Sequence, residues 1–331
     1  MDNNNLEEDV VINPEQNNIG GDEFISVVVP IAERHDDLKR LFYQYAEELK
    51  KTGKKYEFIF VVSEGFDNAI ESLKELKDRN PEVRVIKLNC DFGEATALSV
   101  GFKKAKGNII ITLQPYFQVE PEGIHSIIKK LEEGNDLVIT RRYPRVDSVM
   151  NRMHTGLFHW LINKFTGMPF HDISCGLRGM KRIVAKEIRL YGDLHRFIPI
   201  LARMQGFSIA EINVKQSIEE LNVRIYKPGV YIRRLLDIFA VFFLFKFTKK
   251  PLRFFGLIGM YFFASGLLIN VFLSIQRVIG HVALADRPML LLGVLIMVLG
   301  IQIISIGLLG EIIIYTHSRE TKDYQIEEIF D

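Results

Sequence analysis

The chain has 331 residues, 48% of them hydrophobic, with 42 Lys and Arg against 41 Asp and Glu. That is enough for one large domain and an appendage, and the balanced charge excludes the basic footprint of a nucleic-acid binder. Cys90 and Cys175, the two cysteines, have neither metal-ligand spacing nor a disulfide framework and read as free thiols in a reducing compartment.

Residues 1–24 are rich in Asn, Asp, Glu and Gly, with no basic or apolar stretch of the kind that opens a signal peptide. They read as a disordered acidic tail. Ile25 to Pro30, Tyr56 to Val62, Val83 to Leu88 and Ile109 to Leu113 are β-branched and aromatic runs with the length of buried strands. Helical periodicity fills Asp36 to Lys51 and Asn68 to Arg79, and a third helix opens after Phe92-Gly93 and runs from Glu94 to Ala105. Alternating strands and helices predict an α/β domain over residues 25–232 with a mainly parallel sheet. Its ligands belong at the carboxyl ends of the strands.

Residues 233–253 form a juxtamembrane segment. Within it Leu235 to Phe247 is nearly all apolar but too short to span a bilayer, and reads as an interfacial helix or else an ordinary core helix. Phe254 to Gln276 and Pro288 to Gly310 carry no charge, and each has about the 20 residues a transmembrane helix needs. The short loop between them predicts an antiparallel hairpin over residues 254–313. Arg233, Arg234, Lys246, Lys249, Lys250 and Arg253 precede the first span, Arg319 and Lys322 follow the second, and the loop offers only Arg277 and Arg287. This asymmetry places the α/β domain and the tail 314–331 on the cytosolic side.

The segments SVVVP, FIFVV, DFGEATALSVGF, ITLQPYFQVEPEGI, DISCGLRGMKR, LHRFIP, KKPLRFFG and ADRPMLLLG with GLLGE follow one another in an order that resembles glycosyltransferase family 2. The resemblance is strongest to the polyprenyl-phosphate glycosyltransferases of the dolichyl-phosphate mannose synthase type, which carry a C-terminal membrane hairpin. It implies a GT-A (Rossmann-like) fold, a nucleotide-sugar donor, Mg²⁺ or Mn²⁺, and a polyprenyl phosphate acceptor that attacks the anomeric carbon with inversion. It suggests a bacterial inner membrane or its equivalent, and leaves open a homo-oligomer or a complex with an active glycosyltransferase.

By the resemblance, donor contacts fall on Pro30, Glu33, Ser63, Glu64, Asp91, Gln114, Tyr116, Gln118 and Arg142. Asp172, Arg178, His195 and Arg196 fall at the reacting centre, and Arg224, Tyr226, Arg233, Arg234 and Arg253 near the acceptor phosphate. Several positions depart from the family. Its adjacent aspartates after the second strand fall on Val62 and Ser63, and its metal-holding Asp-Ala-Asp is Gln114-Pro115-Tyr116. Its basic residue after Phe-Gly is Glu94, and its phosphate-clamping loop contains Glu219. An amide and a phenol do not replace two carboxylates around a hard cation. Three readings remain: a transferase with a metal-independent donor site that uses Arg141, Arg142 and Arg224 for the pyrophosphate, a non-catalytic partner of an active enzyme, and a lipid-phosphate binding module. Asp172 reads as a helix cap or as the orienter of an arginine, and Arg178 and Arg196 as phosphate ligands or surface ion pairs. His195 reads as a phosphate ligand or a packing residue at a helix start.

Overall fold

The computed structural model describes residues 24–145, 156, 170–190, 192, 194–223, 251–280 and 288–317. The expected acidic tail, interfacial helix and C-terminal tail fall outside these residues, apart from the ends they share with described elements. The chain divides into two compact units, Met1–Tyr231 and Ile232–Asp331.

In the first unit, β1 (Phe24–Ile31), β2 (Lys55–Val62), β3 (Val83–Lys87) and β4 (Ile109–Thr112) run parallel. Helices α1 (Leu38–Lys51), α2 (Asp67–Arg79) and α3 (Gly93–Lys104) connect them. After α4 (Gly123–Glu132) come β5 (Leu137–Arg142), β6 (Arg178–Lys181), α5 (Arg182–Glu187), α6 (Ile198–Met204) and β7 (Ile209–Val214). Short 3-10 turns lie at Leu194–Phe197 and Ile218–Val223. The sheet order is β3-β2-β1-β4-β6-β5-β7, with β6 antiparallel to both its neighbours. The chain builds outward from β1 to β3 and then crosses to β4 on the other side of β1. That reversal is the crevice where open α/β sheets bind ligands.

The central strands are apolar because both their faces are covered: seven of the eight residues of β1 and six of the eight of β2 are buried. Helix α1 lays Leu38, Leu41, Phe42, Tyr45 and Leu49 against them at helical spacing. It begins at Leu38 and not at Asp36 because Asp37 caps it, its carboxylate accepting the Arg40 N–H at 3.0 Å.

The second unit contains α7 (Pro251–Gly280) and α8 (Pro288–His317), packed along each other. Both are long and apolar enough to cross a membrane. The backbones lie so close at their contact that a Cβ on Gly300 would stand 2.5 Å from the Phe263 nitrogen and 2.6 Å from the Gly259 oxygen. Membrane helices approach through such small residues, since lipid tails offer no hydrophobic drive for their association. Helix α8 continues past the charge-free stretch because Glu311 has a partner: it accepts the Leu252 N–H, one of the open donors in the first turn of α7, at 3.3 Å.

Replacing Gly300 with Leu forces the helices apart, and a fall of several degrees in the thermal midpoint of the detergent-solubilised chain is expected. Val298→Leu, on an exposed position of the same helix, should leave the midpoint unchanged.

Candidate active site

The carboxyl ends of β1 and β4 are tied together by main chain and side chain. Asp36 donates its N–H to the Pro115 oxygen at 2.9 Å. Arg34 chelates the Asp36 carboxylate at 3.0 and 3.1 Å and lies 4.5 Å above the Tyr116 ring. Tyr116 thus fills its place as a stacking surface for a cation. Pro30 sits within β1, and Glu33 is exposed just beyond it.

Beside β1, Ser63 follows β2 and donates its N–H to the Ile31 oxygen. The Ser63 hydroxyl is fully buried, with no hydrogen-bond partner among the described residues. Such a group calls for a ligand or water. Glu64 and Asp91 are exposed, and Asp91 accepts the Gly93 N–H at 3.1 Å, which shapes the turn into α3. Gly93 takes φ +78° there, a conformation open to glycine.

Glu94, in the first turn of α3, reaches the end of β4. Its Oε1 accepts the Gln114 amide at 2.7 Å, and its Oε2 lies 3.3 Å from His195 Nε2. Gln114 lies against Gly176, where a Cβ would stand 2.3 Å from the Gln114 Cγ. The site's carboxylate therefore comes from a helix start, while the strand end supplies an amide. Gln118 accepts the Gly176 N–H at 2.7 Å and is buried, so it holds the loop behind Gln114.

Arg142 and Arg178 are both buried, with different partners. Arg142 donates to Asp172 at 2.7 and 2.9 Å and to Glu220 at 2.6 Å, all three side chains being 1% exposed. Burial works against its charge, but the two carboxylates hold its pKa well above the ordinary arginine value. Asp172 accordingly orients an arginine. Arg178 donates to the oxygens of Cys175, His195 and Ile173 at 2.9, 2.7 and 2.7 Å. It is a buried scaffold cation and not a surface ion pair, and burial lowers its pKa. These bonds fix the turn that carries His195, which is buried, and Arg196, which is half-buried.

Glu219 does not present a bare charge to a phosphate: Arg40 holds it at 2.7 and 3.2 Å while lying over the Phe117 ring. Arg141 lies over the Tyr143 ring, 5.4 Å from its centre. Arg253 is exposed in the first turn of α7, and Arg224, Tyr226, Arg233 and Arg234 lie outside the described residues. The sequence reading missed Glu220 and Arg145, the latter 3.3 Å from Asp172. No motif marks either one.

Residues 26–189 match the family model for glycosyl transferase family 2. An undecaprenyl-phosphate 4-deoxy-4-formamido-L-arabinose transferase of Proteus mirabilis is 31% identical over 309 residues, 92% of this chain and 93% of that protein. The chain belongs to glycosyl transferase family 2. A dodecaprenyl-phosphate galacturonate synthase of Rhizobium johnstonii is 28% identical over 314 residues, 93% of each chain. Among solved structures, mannosyl-3-phosphoglycerate synthase from Rubrobacter xylanophilus matches with a TM-score of 0.53 at 12% identity, over 67% of this chain and 74% of that one. The α/β unit has the GT-A fold of these glycosyltransferases.

The divalent cation that family resemblance implies does not fit the residues present. Among the described residues no three His, Cys, Asp or Glu side chains gather where they could hold a metal ion. Gln114 and Tyr116 stand at the strand end, with Glu94 as the single carboxylate bonded to that amide.

Arg142→Met removes the cation that bridges buried Asp172 and Glu220, at a cost of about 3–5 kcal/mol. A correspondingly lower denaturant midpoint is expected for this glycosyltransferase. Arg141→Met, which breaks no buried pair, should change the midpoint little.

Proposed function

We propose that this glycosyltransferase moves a sugar from a nucleotide-sugar donor to a polyprenyl phosphate at the membrane surface, through a donor site that works without a divalent metal. The observation that carries the metal-free part is the Gln114–Glu94 hydrogen bond at the end of β4. A neutral amide there is already committed to the Glu94 carboxylate, and hard cations need several charged oxygens.

The acceptor class rests on the relatives, whose names specify undecaprenyl and dodecaprenyl phosphates, and on two helices suited to spanning a bilayer. The excess of Lys and Arg before the first span supports a cytosolic catalytic unit. The same cations favour an anionic headgroup at the bilayer surface. The buried Ser63 hydroxyl at the end of β2, which has no hydrogen-bond partner among the described residues, supports nucleoside binding beside β1.

In the reaction, an acceptor phosphate oxygen forms the new bond to the anomeric carbon as the bond to the donor diphosphate breaks. The bonding electrons leave with the nucleoside diphosphate. A phosphate is already an anionic nucleophile, so catalysis consists mainly of positioning two phosphate-bearing partners and offsetting their charge.

Transfer to undecaprenyl phosphate from a panel of nucleotide sugars tests this reading, using the full chain in lipid nanodiscs with Mg²⁺ or with excess EDTA. Equal transfer under both conditions is expected. Activity abolished by EDTA and restored by Mg²⁺ would overturn the metal-free site. No transfer from any donor by folded protein would favour a non-catalytic partner of an active transferase.

A further inference from the structure

The ends of β1 and β4 meet where the strand order reverses, and a cation stands across that junction. Residues 114–116 carry no formal charge. Arg34 follows β1, and its guanidinium lies 4.5 Å above the centre of the Tyr116 ring, which follows β4. The Asp36 N–H closes the same junction by donating to the Pro115 oxygen at 2.9 Å. The connection out of β1 and an aromatic ring beyond β4 thus place positive charge in the crevice where open α/β sheets take their ligands.

An arginine has five N–H donors in a planar fork. Asp36 occupies one edge of it: Nε and Nη2 donate to Oδ1 at 3.2 and 3.0 Å, and Nη2 to Oδ2 at 3.1 Å. Nη1 donates no hydrogen bond among the described residues. The side chain is 27% exposed and Nη1 is not buried, so a ligand reaches this remaining edge from solvent. With Asp36 on one edge and Tyr116 on one face, the guanidinium has little rotamer freedom to lose on binding.

The other arginines are placed differently. Arg142 and Arg178 are buried on fixed protein partners. Arg40 gives both its Nη groups to Glu219, and Arg141 lies on β5, which β6 separates from β4. Arg34 combines a place at the junction, a fixed orientation and an open pair of donors.

Resting on the transferase reading above, we propose that Arg34 binds the donor diphosphate through Nη1, so that a stacked guanidinium supplies the positive charge that the neutral end of β4 lacks. A guanidinium suits this task because its fork meets phosphate oxygens with charge-assisted hydrogen bonds. It can hold Asp36 by one edge and the diphosphate by the other, which the single ammonium of a lysine cannot do.

The test uses inorganic pyrophosphate, titrated calorimetrically into the full chain in lipid nanodiscs with excess EDTA. Saturable binding is expected in wild type, and binding about 10- to 100-fold weaker in Arg34→Gln, the range for a hydrogen bond to a charged group. Arg34→Lys should be weakened nearly as much, and it decides the matter if the glutamine variant fails to fold. Arg79→Gln, at an exposed position ending α2, should bind as wild type does. Unchanged affinity in Arg34→Gln, full affinity in Arg34→Lys, or wild-type binding that appears only with Mg²⁺ would overturn the proposal. Absence of wild-type binding under every condition would overturn it too.

Transfer assays on Arg34→Lys separate the two phosphates. A higher KM for the nucleotide sugar, with that for undecaprenyl phosphate unchanged, is expected. A rise confined to undecaprenyl phosphate would overturn the assignment to the donor. Arg34-dependent pyrophosphate binding in protein that transfers nothing would leave the phosphate site standing and remove the transferase reading instead.

Discussion

In the proposed reaction a donor diphosphate at the carboxyl ends of β1 and β4 must meet compensating positive charge. Two aspartates and a metal ion would meet that need at the strand end. Here the strand end is neutral, and the carboxylate has moved to the start of α3, where it binds Gln114 and faces His195. An acid beside a phosphate is unfavourable by itself. Here it is bonded to the Gln114 amide and stands 3.3 Å from the His195 imidazole.

The arginines surrounding this centre mostly build its walls. Arg142 joins the end of β5 to the loop before β6 through Asp172, and to the 3-10 turn at Ile218–Val223 through Glu220. Arg178 gathers the carbonyls of the same loop and of the turn bearing His195. A buried guanidinium satisfied by fixed partners has little freedom to follow a substrate. It does hold neighbouring groups in one geometry, which is what a reaction limited by positioning requires. Arg40 performs a similar service at the rim, neutralising Glu219 where a bare carboxylate would repel a phosphate.

Much of this architecture is legible in the sequence because it rests on short-range pattern. The runs ISVVVP and YEFIFVV announce buried parallel strands, and two long charge-free stretches announce the hairpin. Their ends shift where one side chain intervenes, as at the Asp37 cap and at Glu311. The site is less legible because its decisive pairs join distant elements. Glu94 and Gln114 are 20 residues apart, Arg142 and Glu220 78, and Arg40 and Glu219 179. Read singly, Glu94 and Glu219 look like charges of the wrong sign. Folding gives each a partner, and the partner changes what the charge does.

The central claim is that positive charge reaches the phosphates from the protein's own side chains without a metal ion. Electron paramagnetic resonance of Mn²⁺ added to the full chain with a nucleoside diphosphate measures this directly, since protein-bound Mn²⁺ differs in line shape from the free ion and its nucleotide complex. The account predicts only free and nucleotide-bound Mn²⁺, with the same spectrum in wild type and Glu94→Gln. A saturable protein-bound signal that disappears in Glu94→Gln would make Glu94 a metal ligand and contradict it.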